Sequence, residues 1–347
     1  MKHFKSDILF ILKQRNLHYS NSSLSSGLAN SIRMLVKMLR SNSVDAVAVE
    51  VIDNNHIDRL VHQYRPRTVI IEALWVVPEK LALLKRLHPD VRWIVRLHSK
   101  LPFIASEGMA MRWIADIAAL RPYVELAANS TTMCHDLRVS QHTQILYLPN
   151  HYEVELKHGL PKVQSTDRTL NVSCFGAIRP LKNQLLQAVA ALRYADENYL
   201  SLRFHINSTR VEGSGESILK NIRALFSSSS RHQLIEHKWL DHHAFKRLIR
   251  DEINLGLQVS YSETYNIVAA DHIDCGVPVV VSDEITFVDP AFVADPNSVL
   301  SIVCAMEKAL SSCVGKRRNT RLLQQSNEDA REAWERAFDW DTVETTA

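Results

Sequence analysis

The stretch GLQVSYSETYNIVAADHIDCGVPVVVSDEI, residues 256–285, carries the side chains most able to do chemistry. An apolar run ends at Ser260 and a polar turn holding Glu263 follows. A helical pattern then opens near Asn266, runs to Cys275 and stops at Gly276, ahead of Pro278. A helix starting there presents free backbone N–H groups and the positive end of its dipole, which suits a pyrophosphate. Glu263 before the helix and Asp271 eight residues later would bracket such a ligand from opposite ends rather than act as a catalytic pair. The plain alternative is a helix cap at Glu263 and a solvated acid at Asp271. A second cluster, CFGAIRPLKNQ at residues 174–184, spaces Gly176, Arg179 and Lys182 three apart straight after another apolar run. Cations at a strand end can neutralise a diphosphate leaving group, an electrostatic task otherwise given to a metal ion.

Taken together, the two segments resemble the signatures of retaining glycosyltransferases of the GT-B fold, in particular the family 4-like group. SETYNIVAADHIDCGVPVV is similar to the E-x7-E loop and helix, and residues 176–182 to the G-x-x-R-x-x-K turn. The resemblance implies that Glu263 hydrogen-bonds the donor sugar, that Thr264, Tyr265, Asn266 and Ile267 hold the diphosphate and sugar, and that Asp271 binds the ribose. It assigns the diphosphate to Arg179 and Lys182, without a metal. Asp271 replaces the usual second Glu, and Tyr265-Asn266 the common Phe-Gly. His98, in RLHSK, matches a first-domain His that contacts the donor sugar, although Ser99 stands where an Asp is common. Gly27, in Ser25-Ser26-Gly27, resembles the glycine-rich first loop, and Pro149-Asn150 fits the domain boundary. The implied reaction keeps the anomeric configuration, with the departing phosphate helping to deprotonate the acceptor hydroxyl. No cofactor is implied beyond the nucleotide-diphosphate sugar, UDP-glucose being the family default.

Such a site needs strands that end in loops, and the hydrophobic pattern supplies them. Short β-branched runs recur at residues 7–12, 44–51, 68–73, 92–97, 124–129 and 144–149, with longer helical patterns between. After a polar stretch at 150–167 the alternation restarts at 170–176, 201–207, 233–239, 255–260 and 277–282. The expected fold class is α/β, two tandem Rossmann-like doubly wound domains facing across a cleft. The expected bounds are 1–155 for an acceptor-side domain, 166–325 for the nucleotide-sugar domain, and 326–347 for a terminal helix able to pack back on the first. Residues 109–120 (MAMRWIADIAAL) read as a buried helix, with an interfacial helix as the alternative.

At 347 residues and 46% hydrophobic, the chain can bury two cores. No apolar run is long enough to cross a membrane, and the five scattered cysteines suggest neither a disulfide framework nor a zinc site, which points to the cytoplasm. Walker, G-x-G-x-x-G, G-x-S-x-G and HExxH motifs are absent, and the trio Asp339-Trp340-Asp341 follows no strand. The net charge of +3 is unevenly spread: residues 1–150 hold 19 Lys and Arg against 12 Asp and Glu, the remainder 22 against 26. A basic first half suits an anionic acceptor. Because residues 256–272 also resemble transferases carried by bacteriophages, the favoured acceptor is double-stranded DNA with hydroxymethylated bases, in the host cytoplasm. The rivals are a lipid-linked or cell-envelope saccharide reached by peripheral membrane contact, a phosphorylase or epimerase of the same fold, and a non-catalytic nucleotide- or nucleic-acid-binding protein.

Overall fold

The computed structural model of the chain describes residues 6–14, 27–155 and 168–338. Ser25-Ser26, residues 156–167 of the polar stretch, and Asp339-Trp340-Asp341 lie outside these. Two compact units are present, one of residues 1–153 with 327–347, the other of residues 154–326.

The first unit alternates strands and helices: β1 (Ser6–Lys13), α1 (Gly27–Ser41), β2 (Ala46–Val51), α2 (His56–Tyr64), β3 (Pro66–Glu72), α3 (Pro78–Leu87), β4 (Arg92–Leu97), α4 (Leu101–Ile104), α5 (Ala110–Ala118), β5 (Val124–Ala128), α6 (Thr131–Gln141) and β6 (Leu146–Tyr147). All six strands are parallel, in the order β2-β1-β3-β4-β5-β6. Parallel strands covered on both faces must be apolar throughout, and β1 obeys this, with Ile8 to Leu12 at 4% exposure or less. One face of the sheet packs Ile57, Leu81, Ile114 and Leu137 from α2, α3, α5 and α6. The other packs Ile32, Leu35 and Leu39 of α1 together with Trp334.

The second unit continues with β7 (Thr169–Ser173), α7 (Gln184–Glu197), β8 (Ser201–Asn207), α8 (Gly215–Ser227), β9 (Gln233–His237), α9 (His242–Glu252), β10 (Leu255–Gln258), α10 (Ile267–Asp274), β11 (Val279–Val281) and α11 (Val299–Ser311), with short 3-10 turns at Pro180–Lys182 and Pro290–Phe292. Its five parallel strands run β11-β10-β7-β8-β9. The last helix, α12 (Cys313–Phe338), passes from one unit to the other at Asn327. Its Trp334 is fully buried, packs against Phe10 at 5.9 Å and donates its indole N–H to the Pro149 carbonyl at 2.9 Å. Among the described residues no helix is long and apolar enough to cross a membrane. Residues 110–118 of the apolar 109–120 stretch form α5, which buries Ala110, Ile114 and Ile117 in the core while Met109 and Met111 are exposed.

Candidate functional site

In the second sheet the chain proceeds outward from β7 through β8 to β9, then returns to add β10 and β11 on the other side. The loops leaving β7 and β10 therefore diverge, and the crevice outside their carboxyl ends is where a doubly wound sheet binds ligands. Lys182 arrives there on the loop after β7 and Glu263 on the loop after β10. Their Nζ and Oε1 form an ion pair, with side chains 13% and 6% exposed.

Buried amides hold the lysine loop in place. Gly176 takes φ +119°, a conformation L side chains rarely adopt, and donates its N–H to Asn207 Oδ1 at 3.0 Å. Asn183 donates through Nδ2 to the carbonyls of Val259 at 3.1 Å and Pro296 at 2.8 Å. Gln187 accepts the Val259 N–H and donates to the Lys182 carbonyl, each at 2.8 Å, and Gln184 donates to the Ala177 carbonyl at 2.8 Å. The loop that carries Lys182 is thus fastened directly to the end of β10.

On the other side Asn266 caps α10, accepting from the Ala269 N–H at 2.9 Å, as a side chain in that position should. Its Nδ2 donates to Gln258 Oε1 at 2.9 Å and reaches Glu263 Oε1 at 3.3 Å. Gln258 in turn donates to the Phe175 carbonyl at 3.1 Å, linking the ends of β10 and β7. The Glu263 N–H is bound by Glu284 Oε2 at 2.7 Å. Asn266 therefore occupies one of the helix N–H groups that sequence reasoning left to an anion. Thr264, Tyr265 and Ile267 lie half-buried beside it. The Tyr265 hydroxyl is buried without a hydrogen-bond partner among the described residues, its ring lies 5.2 Å from Phe287, and burial raises its pKa.

The remaining expected donor residues sit differently. Arg179 Nη1 lies 3.6 Å from Glu212, a carboxylate that Arg210 also holds at 2.7 Å. Asp271 is 1% exposed, and its Oδ1 is 2.6 Å from His242 Nε2 on α9. It is not a solvated helix acid but is hydrogen-bonded to His242 inside the second unit. Burial lowers the pKa of His242, yet the hydrogen bond and charge of Asp271 outweigh it and raise the pKa overall. The adjacent His272 is held neutral by burial, its pKa pushed down to about 4, with Nε2 2.8 Å from Ser173 Oγ and Nδ1 2.7 Å from the Val268 carbonyl.

In the first unit His98 follows β4 and is hydrogen-bonded to Glu72, the last residue of β3. Arg96 is fully buried beside them. It binds Glu72 at 3.2 and 3.3 Å, the Leu148 carbonyl at 2.7 Å and Asn150 Oδ1 at 2.6 Å, and lies over the Trp334 ring at 5.4 Å. Burial pushes the Glu72 carboxyl up, but the charges of Arg96 and His98 prevail and hold it below its ordinary value. Gly27 opens α1, half-buried. Sequence reading missed Glu72, Arg96, His242, Gln258 and Glu284. Glu72 and Arg96 alone carried a signal, because a charge inside a buried run such as TVIIEA or RWIVRL must have a partner.

No protein-family model matches the sequence, and no curated protein matches it. Solved structures do. A trehalose-6-phosphate structure from E. coli bound with UDP-2-fluoro glucose aligns over 97% of this chain and 99% of its own, at TM-score 0.67 and 9% identity. The alpha,alpha-trehalose-phosphate synthase (UDP-forming) from Burkholderia vietnamiensis aligns over 98% and 100%, at TM-score 0.67 and 10% identity. The fold is GT-B. A mutant of S. aureus TarM, in complex with Fondaparinux, alpha-GlcNAc-glycerol and UDP, aligns over 78% of this chain and 55% of its own, at TM-score 0.57 and 14% identity. At these identities the likeness is one of fold, and function rests on the residues.

Proposed function

We propose that the chain is a retaining glycosyltransferase that moves a hexose from a nucleotide-diphosphate sugar, with UDP-glucose as the first donor to try, to a hydroxyl acceptor. The observation that carries this reading is the Lys182–Glu263 pair at the switch point of the second sheet. An incoming diphosphate would draw Lys182 from Glu263, leaving the cation on the leaving group and the carboxylate to accept a hydrogen bond from the sugar. A dedicated base is then unnecessary, because the departing phosphate takes the acceptor proton. Thr264 to Ile267 would line the diphosphate and sugar, with Arg179 drawn from Glu212. Asp271, paired with His242, would meet the ribose through a shared hydrogen bond. UDP-2-fluoro glucose and UDP in the structures of similar fold support a UDP-sugar donor.

For the acceptor we propose hydroxymethylated bases of double-stranded DNA, supported by the basic first half of the sequence. The alpha-GlcNAc-glycerol in the TarM structure favours a second reading, a saccharide or polyol acceptor of the cell envelope. The test incubates the protein with a panel of sugar nucleotides and with DNA containing or lacking hydroxymethyl bases, followed by mass spectrometry of the nucleosides. A hexose mass shift confined to the hydroxymethylated DNA is expected. Nucleotide release without any nucleoside shift removes the DNA acceptor, and no turnover of any donor removes the transferase.

A further inference from the structure

Away from the strand ends that carry His98, the first unit gathers three potential metal ligands that the reaction does not use. Asp58 and His62 lie one turn apart on α2, four residues being the spacing that puts two side chains on one helix face. His88 follows α3, four residues before β4 begins, just as His62 stands four residues before β3. The cluster therefore sits where the strands start, at the opposite end of the strands from His98.

His88 Nε2 is 2.8 Å from Asp58 Oδ1, His62 Nε2 is 3.7 Å from the same oxygen, and the three ligand atoms all lie within 4.8 Å of one another. The set is graded in mobility. The His88 side chain is 8% exposed and packs near Trp93 at 6.4 Å, so its ring is fixed, whereas Asp58 is 41% and His62 72% exposed. In a tetrahedral site with metal–ligand bonds near 2.0–2.1 Å, neighbouring ligand atoms stand roughly 3.3–3.5 Å apart. Rotation of the exposed His62 ring and a small opening of the Asp58–His88 contact would bring the three atoms to that spacing. The two imidazole rings are 4.9 Å apart and inclined at 70°, and both present Nε2 towards Asp58 Oδ1.

We propose that Asp58, His62 and His88 form a binding site for a divalent transition-metal ion, with Zn2+ as the best match to two imidazoles and one carboxylate. Water completes the coordination on the exposed side. The ion would clip α2 to the turn between α3 and β4, so its role is structural and distinct from transfer at the Lys182–Glu263 crevice.

The test titrates Zn2+, in competition with a chromophoric chelator, into the full chain stripped with EDTA, and repeats it with Co2+ to read ligand-field absorption. A saturable site is expected, with a rise in thermal midpoint on Zn2+ addition. Loss of even an outer-shell partner typically weakens a metal about 10- to 100-fold. His62→Ala, at an exposed position that leaves the fold intact, should weaken Zn2+ by at least that factor and abolish the Co2+ spectrum. Asp58→Asn, which keeps the shape and removes the charge, should also weaken it. His135→Ala, an exposed histidine on α6, should change nothing. No saturable binding in the parent chain, undiminished affinity in His62→Ala, or an equal loss in His135→Ala overturns the proposal.

Discussion

Glu72 and Arg96 show how little freedom a buried charge has. Both side chains are fully shielded from solvent, and Arg96 is compatible with its position only because Glu72, Asn150 and the Leu148 carbonyl meet it. Glu72→Ala leaves that guanidinium without its counter-charge, and removing one partner of such a pair costs about 3–5 kcal/mol. Urea unfolding of the full chain should register the loss. His242 makes the complementary prediction in pH. Asp271 raises its pKa, so the folded state holds the proton more tightly than the unfolded one. The stabilisation is therefore complete below the unfolded value of about 6.5 and is lost as pH rises through the folded pKa. Asp271→Asn should abolish this contribution, and the gap in thermal midpoint between parent and variant should be widest in mild acid and narrow towards alkaline pH. Of these residues the sequence singled out only Asp271, by its motif. The partners come from other elements, 24 residues away for Glu72 and Arg96 and 29 for His242 and Asp271, a distance at which no local pattern connects them.

Elements were far more legible than partners. Each of the eleven apolar runs corresponds to a strand, because a parallel strand buried on both faces has to be written as a continuous β-branched run. Helix α10 begins and ends where Asn266 and Gly276 placed it, with Gly276 at φ +72°. What stayed hidden is how closely α10 approaches β10. A Cβ on Gly256 would lie 2.5 Å from the His272 ring, which itself bonds Ser173 of β7. Gly256 is required by this packing rather than by a turn. Gly256→Ala is therefore expected to cost about 1–3 kcal/mol through overpacking. A urea midpoint shift with an unchanged slope would register it.

For the molecule as a whole, the buried His205 and His272 and the half-buried His151 contribute to its response to acid. Burial lowers His151 and His272 to about 4 and His205 to about 3. Unfolded chains take up these protons below about pH 6.5 while the folded state refuses them, so stability from neutral burial is complete above that value and falls steadily from pH 6.5 to 4. Thermal melts across that range should show a progressive drop, larger than the same melts between pH 7 and 8. At this scale the two-sheet architecture was readable in the sequence, and the match to known structures along nearly the whole chain agrees with it. The interior ion pairs and the Asp58, His62 and His88 cluster were not, since they arise only when separate elements pack.

The central claim is that Lys182 and Glu263 are the working pair of a sugar-nucleotide site, and it is tested most directly by donor turnover in Lys182→Ala and Glu263→Ala beside the parent. Both side chains are fastened through neighbours that the substitutions leave in place, so circular dichroism and thermal melts should show folded proteins. Removing one preorganised electrostatic group typically costs about 100- to 1,000-fold in rate. Release of nucleoside diphosphate by the parent and a loss of that order in each variant is the predicted result. Near-parental turnover in either variant would contradict it.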